Sequence, residues 1–302
     1  MAELPDYPWT PRRFVRADGL SMAWLDEGPR SGEPVLMLHG NPSWSYYWRH
    51  LVSGLQDRWR CIVPDWIGMG RSDKPGDDRY RYTLASRVDD LEQLYQHAVR
   101  EHGLPATGLT LAVHDWGGMI GLAWAVQHPE RVARLLITNT GAFPNPKGQR
   151  LPGALRLGRD SALGTLLIRG FNAFAGGATR LATVRPMPPA VRAAYTAPYD
   201  SWANRIATLR FVQDIPLGPR DAAWPLVEAT GRNLHTLADR PILLGWGLRD
   251  FVFDRAFFDE FVRRFPAAES HPWDDAGHYV LEDAHERLVP RVRAFLERHP
   301  LA

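Results

Sequence analysis

The sequence holds a single cysteine, Cys61, and only two lysines, Lys74 and Lys147, in 302 residues. One cysteine excludes an internal disulfide, and nothing with metal-ligand spacing surrounds it. Set in the apolar run Cys61-Ile62-Val63, it reads as a buried structural thiol. No metal and no cofactor are expected. The net charge is only +2 and no basic block is present, which sets aside nucleic acid as a partner. No apolar run approaches the ~20 residues needed to cross a bilayer. Residues 1–6 have neither a basic start nor an apolar stretch, so no signal peptide is expected and the cytoplasm is the expected location.

What is present is the composition of an ordinary folded protein, 45% hydrophobic and 23% charged. Twelve Trp, twelve Phe and nine Tyr are enough for a core and for an apolar pocket. The length suits one large α/β domain carrying an insertion, or two small domains. Residues 13–15 and 22–25 read as an antiparallel pair. The short apolar runs at 35–38, 61–63, 109–113, 135–138 and 242–246 suit strands buried on both faces. Helical spacing follows over 83–101 and 119–127. This alternation predicts an α/β fold with a mainly parallel central sheet, helices on both faces and an inserted helical cap. Between residues 142 and 237 the pattern changes to Pro- and Gly-punctuated helical segments, such as 190–195 and 202–211, with no strand. The expected division is therefore core 1–141, cap 142–237 and core 238–302. The cap would lie over the carboxyl ends of the strands, where open parallel sheets bind ligands.

The strongest chemical signal is Val113-His114-Asp115-Trp116-Gly117-Gly118, a strand–turn–helix in which small residues let the backbones approach. Such an elbow exposes a nucleophile above the sheet. Here the residue is Asp115 where a hydrolase usually carries Ser, and Val113 departs from the usual Gly. A helix cap is the alternative use of this Asp. Two further residues argue against that alternative. Asp250 follows the strand at 242–246, and His278 sits in the small-residue turn Asp275-Ala276-Gly277-His278. Nucleophile, acid and histidine then occur in the chain order of the α/β-hydrolase triad. A fourth element, His39-Gly40-Asn41-Pro42, would supply one backbone N–H of an oxyanion hole and Trp116 the other. The side chains of Asn41 and Trp116 are also donors able to converge on one anion. The alternatives are a turn residue for Asn41 and simple packing for Trp116. A carboxylate is already ionised at neutral pH, so it needs no base to attack a saturated carbon. His278, oriented by Asp250, could then activate water against the resulting ester.

These segments, together with Pro64-Asp65-Trp66-Ile67-Gly68-Met69-Gly70-Arg71-Ser72-Asp73, resemble the haloalkane dehalogenase family. In that family the matching Asp is the nucleophile and the residues matching Asn41 and Trp116 bind halide. One branch carries its acid as Glu after the sixth strand. Asn139 stands at the equivalent place here, so the acid is expected to be Asp250. The resemblance is closer still to the β-lactone decarboxylases of bacterial long-chain olefin biosynthesis. It includes Ile168-Arg169-Gly170-Phe171-Asn172-Ala173-Phe174, Ala197-Pro198-Tyr199-Asp200-Ser201-Trp202, Asp214-Ile215-Pro216-Leu217 and Ala276-Gly277-His278-Tyr279. It implies a cis-β-lactone substrate with two long alkyl arms, converted to a cis-alkene and carbon dioxide. It also implies assembly with other olefin-biosynthesis enzymes. A haloalkane dehalogenase shares every catalytic residue named here and stands as the alternative. An epoxide hydrolase would need paired cap tyrosines, for which Tyr195 and Tyr199 are available. A non-catalytic binding protein on the same scaffold would be expected to have lost part of the triad. Phe143, Phe171, Phe174, Met187 and Trp202 are the expected pocket-lining residues.

Overall fold

The computed structural model describes residues 4–148 and 150–301. The expectation about residues 1–6 falls partly outside this range. The first part of the chain contributes β1 (Arg12–Val15), β2 (Ser21–Glu27), β3 (Pro34–Leu38), α1 (Arg49–Leu55) and β4 (Arg60–Pro64). Next come α2 (Leu84–His102), β5 (Leu109–Asp115), α3 (Trp116–Gln127) and β6 (Val132–Thr140). An all-helical stretch follows, with α4 (Gly153–Asp160), α5 (Ala162–Phe171), α6 (Ala173–Leu181), α7 (Pro189–Thr196), α8 (Ile206–Gln213) and α9 (Trp224–Asn233). The chain then returns through β7 (Ile242–Gly247), α10 (Arg255–Arg264), β8 (Glu269–Trp273) and α11 (Val280–Arg298).

The eight strands form one sheet in the order β1-β2-β4-β3-β5-β6-β7-β8. Pairings of β1 with β2 and of β2 with β4 are antiparallel, and the rest are parallel. The strand runs are apolar because helices cover both faces. Every residue of β3, β4, β5 and β7 is buried. Each Leu, Ile or Val taken fully out of water there contributes about 1.5–3 kcal/mol. Helix α3 shows the same logic, with its first ten residues all buried and no polar face. The order in which successive strands join the sheet reverses between β3 and β5, which run parallel and pair through Leu38 and Val113. The crevice at their carboxyl ends is the place where such sheets bind ligands.

Three local features differ from the sequence expectation. β8, with the sequence Glu-Ser-His-Pro-Trp, carries no apolar periodicity because it is the sheet edge and only Trp273 is buried. The helix expected over 202–211 is a 3-10 turn over Ala203–Arg205 followed by α8. Helices α4, α5 and α6 were not legible because Gly interrupts each of them. Cys61 is a free, buried thiol, and burial pushes its pKa up, which keeps it protonated. No helix among the described residues is long and apolar enough to cross a membrane.

Candidate active site

Asp115 ends β5 and precedes α3 with φ +51° and ψ −128°, a conformation that L-residues rarely adopt. Such backbone costs about 1–3 kcal/mol and persists only where the surroundings impose it. The surroundings do so through missing side chains. A Cβ on Gly117 would lie 2.0 Å from the Leu38 carbonyl oxygen, and one on Gly118 1.9 Å from Thr140 Oγ1. Thr140 Oγ1 in turn donates to the Asp115 carbonyl. The Asp115 side chain makes no capping hydrogen bond to α3, which removes the helix-cap alternative.

The carboxylate is instead held from the β3 side. The backbone N–H of Asn41 donates to Asp115 Oδ1 at 2.7 Å. The loop N–H expected in an oxyanion hole is thus already engaged with Asp115's own carboxylate. That leaves Oδ2 as the free oxygen, 3.4 Å from His278 Nε2. Gly40 is the third place where only glycine fits, since its Cβ would meet Asp115 Oδ1 at 2.0 Å. Gly40→Ala is therefore expected to leave the circular dichroism spectrum unchanged while lowering turnover at least about 100-fold, because it displaces the whole Asp115 carboxylate by on the order of an ångström.

His278 Nδ1 lies 2.7 Å from Asp250 Oδ2. Asp250 is buried and accepts two more hydrogen bonds, from Val252 N–H to Oδ1 at 2.7 Å and from Asn139 Nδ2 to Oδ2 at 3.0 Å. Asn139 is itself fixed on Gly247, donating to its carbonyl and accepting from its N–H. Sequence reasoning noticed Asn139 only as the place of a missing Glu; the structure makes it the support of Asp250. Burial opposes a charged His278, yet Asp250 and Asp115 on its two sides outweigh that penalty and hold its pKa up to about 10. The ring is then an imidazolium at neutral pH, a donor at both nitrogens. His114 contrasts with it. Burial, reinforced by the neighbouring His278 charge, drives its pKa well down. It stacks on Tyr47 with ring centroids 4.2 Å apart and stays neutral.

Asn41 is placed by the helical insertion as well. Its Nδ2 donates to the Thr208 carbonyl in α8 at 3.1 Å, which leaves one amide hydrogen free, and its buried Oδ1 has no partner among the described residues. Trp116 packs edge-on against Phe211, with centroids 5.2 Å apart. It also borders the cavity above Asp115, and its indole N–H has no hydrogen-bond partner among the described residues. Asp115, Asn41, Trp116 and His278 form the polar floor of a cavity of about 290 Å³ whose walls are apolar apart from Asn145 and Arg150. Met119, Phe143, Leu155, Ile168, Phe174 and Phe253 are among those walls.

Of the expected lining residues, Phe143 and Phe174 border this cavity, whereas Phe171, Met187 and Trp202 do not. Phe171 ends α5 on its outer side and is 73% exposed, and Trp202 is 47% exposed beneath the Arg169 guanidinium. Met187 is buried in the separate core patch that includes Val191, Tyr195 and Tyr279. The tyrosines an epoxide hydrolase would need are also elsewhere. Tyr195 donates to Glu282 and Tyr199 to the Ser43 carbonyl, and neither borders the cavity. Phe251, Phe253 and Phe257, which line it after β7, were missed because that segment has no periodicity to mark it.

The sequence profile of the alpha/beta hydrolase fold matches residues 33–285. A cis-3-alkyl-4-alkyloxetan-2-one decarboxylase of Xanthomonas campestris pv. campestris is 58% identical over 98% of this chain and 99% of its own. A haloalkane dehalogenase of Mycobacterium marinum is 34% identical over 90% of this chain and 88% of its own. The crystal structure of a haloalkane dehalogenase from Bradyrhizobium elkani superposes with a TM-score of 0.85, at 26% identity, covering 96% of this chain and 98% of that one. This chain belongs to the α/β-hydrolase fold family, in the group of relatives that includes both the cis-3-alkyl-4-alkyloxetan-2-one decarboxylases and the haloalkane dehalogenases.

Proposed function

We propose that this chain is a cis-3-alkyl-4-alkyloxetan-2-one decarboxylase, an enzyme that converts a cis-β-lactone with two long alkyl arms to a cis-alkene and carbon dioxide. The observation that carries this reading is the free oxygen of Asp115 at the floor of an apolar cavity, beside an imidazolium and two side-chain donors. The 58% identity to a protein of that name over nearly the whole length favours the lactone over an alkyl halide.

In the proposed chemistry, Asp115 Oδ2 attacks the ring carbon that bears the lactone oxygen, and that C–O bond breaks with inversion. The electron pair leaves on the new carboxylate, which takes the site between the Asn41 amide and the Trp116 indole N–H. Oδ1 becomes the ester carbonyl oxygen and keeps its hydrogen bond from Asn41 N–H. The bond from the adjacent carbon to the carboxylate then breaks anti to the ester. Its electrons form the alkene and expel Asp115 as a carboxylate. Inversion followed by anti elimination preserves the cis geometry, and no water or net proton is consumed. Attack at the lactone carbonyl, giving a mixed anhydride, is the rival route.

The charge state of His278 suits the water-free route. An imidazolium cannot take a proton from water, but it can stabilise carboxylates at Oδ2 and in the anion site. The residues at 142–237 act as the cap of this reading, since they supply most of the cavity wall and hold Asn41 through Thr208. The same proposal includes a cytoplasmic location and an assembly with other olefin-biosynthesis enzymes, which an insoluble substrate favours. A haloalkane dehalogenase would use the same floor, with halide in the anion site. Gas chromatography of products from a synthetic cis-β-lactone, run beside halide release from a long-chain bromoalkane, separates the two. Cis-alkene is expected from the first, with no halide above the level of an Asp115 variant from the second. Halide release without alkene would overturn the assignment.

A further inference from the structure

The helical stretch between β6 and β7 differs from the rest of the chain in charge. Residues 142–237 contain twelve of the 36 Lys and Arg but only five of the 34 Asp and Glu. That stretch therefore carries +7, and the remainder −5. Most large apolar side chains left exposed by the fold are in the same stretch. Leu163, Leu166 and Phe171 lie on the outside of α5, whose inner side lines the cavity through Gly164, Leu167 and Ile168. Trp202 continues this surface, since Leu166 and Trp202 both flank Gly170. Leu181, 69% exposed at the end of α6, and Phe251 both border the cavity and face solvent, and so mark its mouth.

The cations are interleaved with these apolar groups. Arg169 lies over the Trp202 ring, Arg180 precedes Leu181, Arg185 follows Val184, and Arg150 borders the cavity mouth. None of these four arginines has an acidic partner within 4.0 Å among the described residues, although many arginines elsewhere in the chain are paired. The acids in the neighbourhood are engaged, Asp160 by Arg156 and Arg159 and Asp200 by Asn204.

From this we infer that the α5–α6 face, around the mouth of the cavity, docks on an anionic lipid surface. A soluble monomer rarely exposes a contiguous apolar patch without a use for it. Apolar side chains among unpaired arginines are the pattern that enters the headgroup region of an anionic leaflet. A partner protein would need its own acidic apolar patch, whereas a membrane supplies both the negative charge and an apolar phase. The purpose rests on the lactone reading: the substrate and alkene are oils, and a mouth held at the lipid boundary lets them pass without crossing water. The docking surface itself stands on exposure and charge alone.

The test is co-sedimentation of the full chain with vesicles of phosphatidylethanolamine and phosphatidylglycerol, beside vesicles of phosphatidylcholine. Binding is expected to the anionic vesicles only, and to weaken with salt. Arg180→Glu and Arg185→Glu are each expected to cost at least roughly fivefold in affinity, the effect of one cation near such a surface. Phe171→Ser with Trp202→Ser is expected to abolish binding, while turnover of a short-armed, water-soluble lactone is unchanged. Equal binding by these variants, or none by the wild type, would overturn the inference. So would a dimer in light scattering that these substitutions dissolve, because the face would then belong to a second copy. Vesicle binding without lactone turnover would end the functional reading alone, and turnover without binding would end the docking surface alone.

Discussion

Asp115→Asn is expected to lower kcat for lactone decarboxylation by on the order of 10⁴-fold or more, the scale on which a removed nucleophile is felt. The substitution keeps nearly the same shape. An amide oxygen can still accept from Asn41 N–H at the position of Oδ1, so the strained turn retains its side-chain anchor. What disappears is the negative charge and nucleophilicity of the other oxygen. Folding is therefore expected to survive, with a thermal midpoint near the wild type, and substrate should still occupy the cavity. Asp115→Ala gives the same loss without any residual acceptor. Unchanged turnover in Asp115→Ala would show that the carboxylate is not the reacting group. Mass spectrometry of the Asp115 peptide after many turnovers in ¹⁸O water sharpens the test. Hydrolysis of an aspartyl ester at its carbonyl carbon would introduce label, whereas the scheme above returns both original oxygens. Label in Asp115 would overturn the water-free route.

Asp250→Asn is expected to be the second most damaging change, on the order of 10³–10⁴-fold in kcat by analogy with other orienting carboxylates. The reason is a count of donors. Asp250 accepts from His278 Nδ1, Asn139 Nδ2 and Val252 N–H, and all three aim at its two oxygens. An amide has one oxygen, so its NH₂ must face at least one of these donors with no partner for either. Breaking a buried ion pair from one side costs about 3–5 kcal/mol. The pH dependence separates this electrostatic role from a merely structural one. The pKa of His278 is raised from an ordinary 6.5 to about 10 in the folded protein. A group raised on folding adds stability that is fully present below its unfolded value and is lost as pH rises through the folded one. Wild-type thermal stability is therefore expected to decline between about pH 6.5 and 10. Asp250→Asn, lacking the main charge that raises the pKa, should lose less over that interval. Wild-type turnover should likewise hold across this range and fall near pH 10. A rise in turnover through pH 6–7 would mean that neutral His278 acts as a base, contrary to the scheme.

Legibility differed from residue to residue, for reasons that are physical rather than statistical. Asp115, Asp250 and His278 each sit at a strand end or in a small-residue turn, where local sequence states the backbone's business. Their convergence follows from chain order across a parallel sheet. The nature of Asn139 was half legible: its identity excluded one acid, but its bonds to Asp250 and Gly247 join residues more than a hundred positions apart. The cavity wall was the least legible part. Helix α5 is apolar on nearly every side, so nothing in its spacing says whether Ile168 or Phe171 faces inward. Ile168 lines the cavity because α5 packs on α4, α6 and α8, and Phe171 is left outside.

The chain alone determined the layered α/β architecture, the strand runs and the order of the three titratable groups, because each depends on apolar periodicity or on a turn a few residues long. Only the tertiary structure decided which oxygen of Asp115 is free, what holds Asp250, and which aromatics border the cavity. Those depend on distances between segments far apart in the chain, and a side chain's surroundings exist only once its neighbours have packed against it.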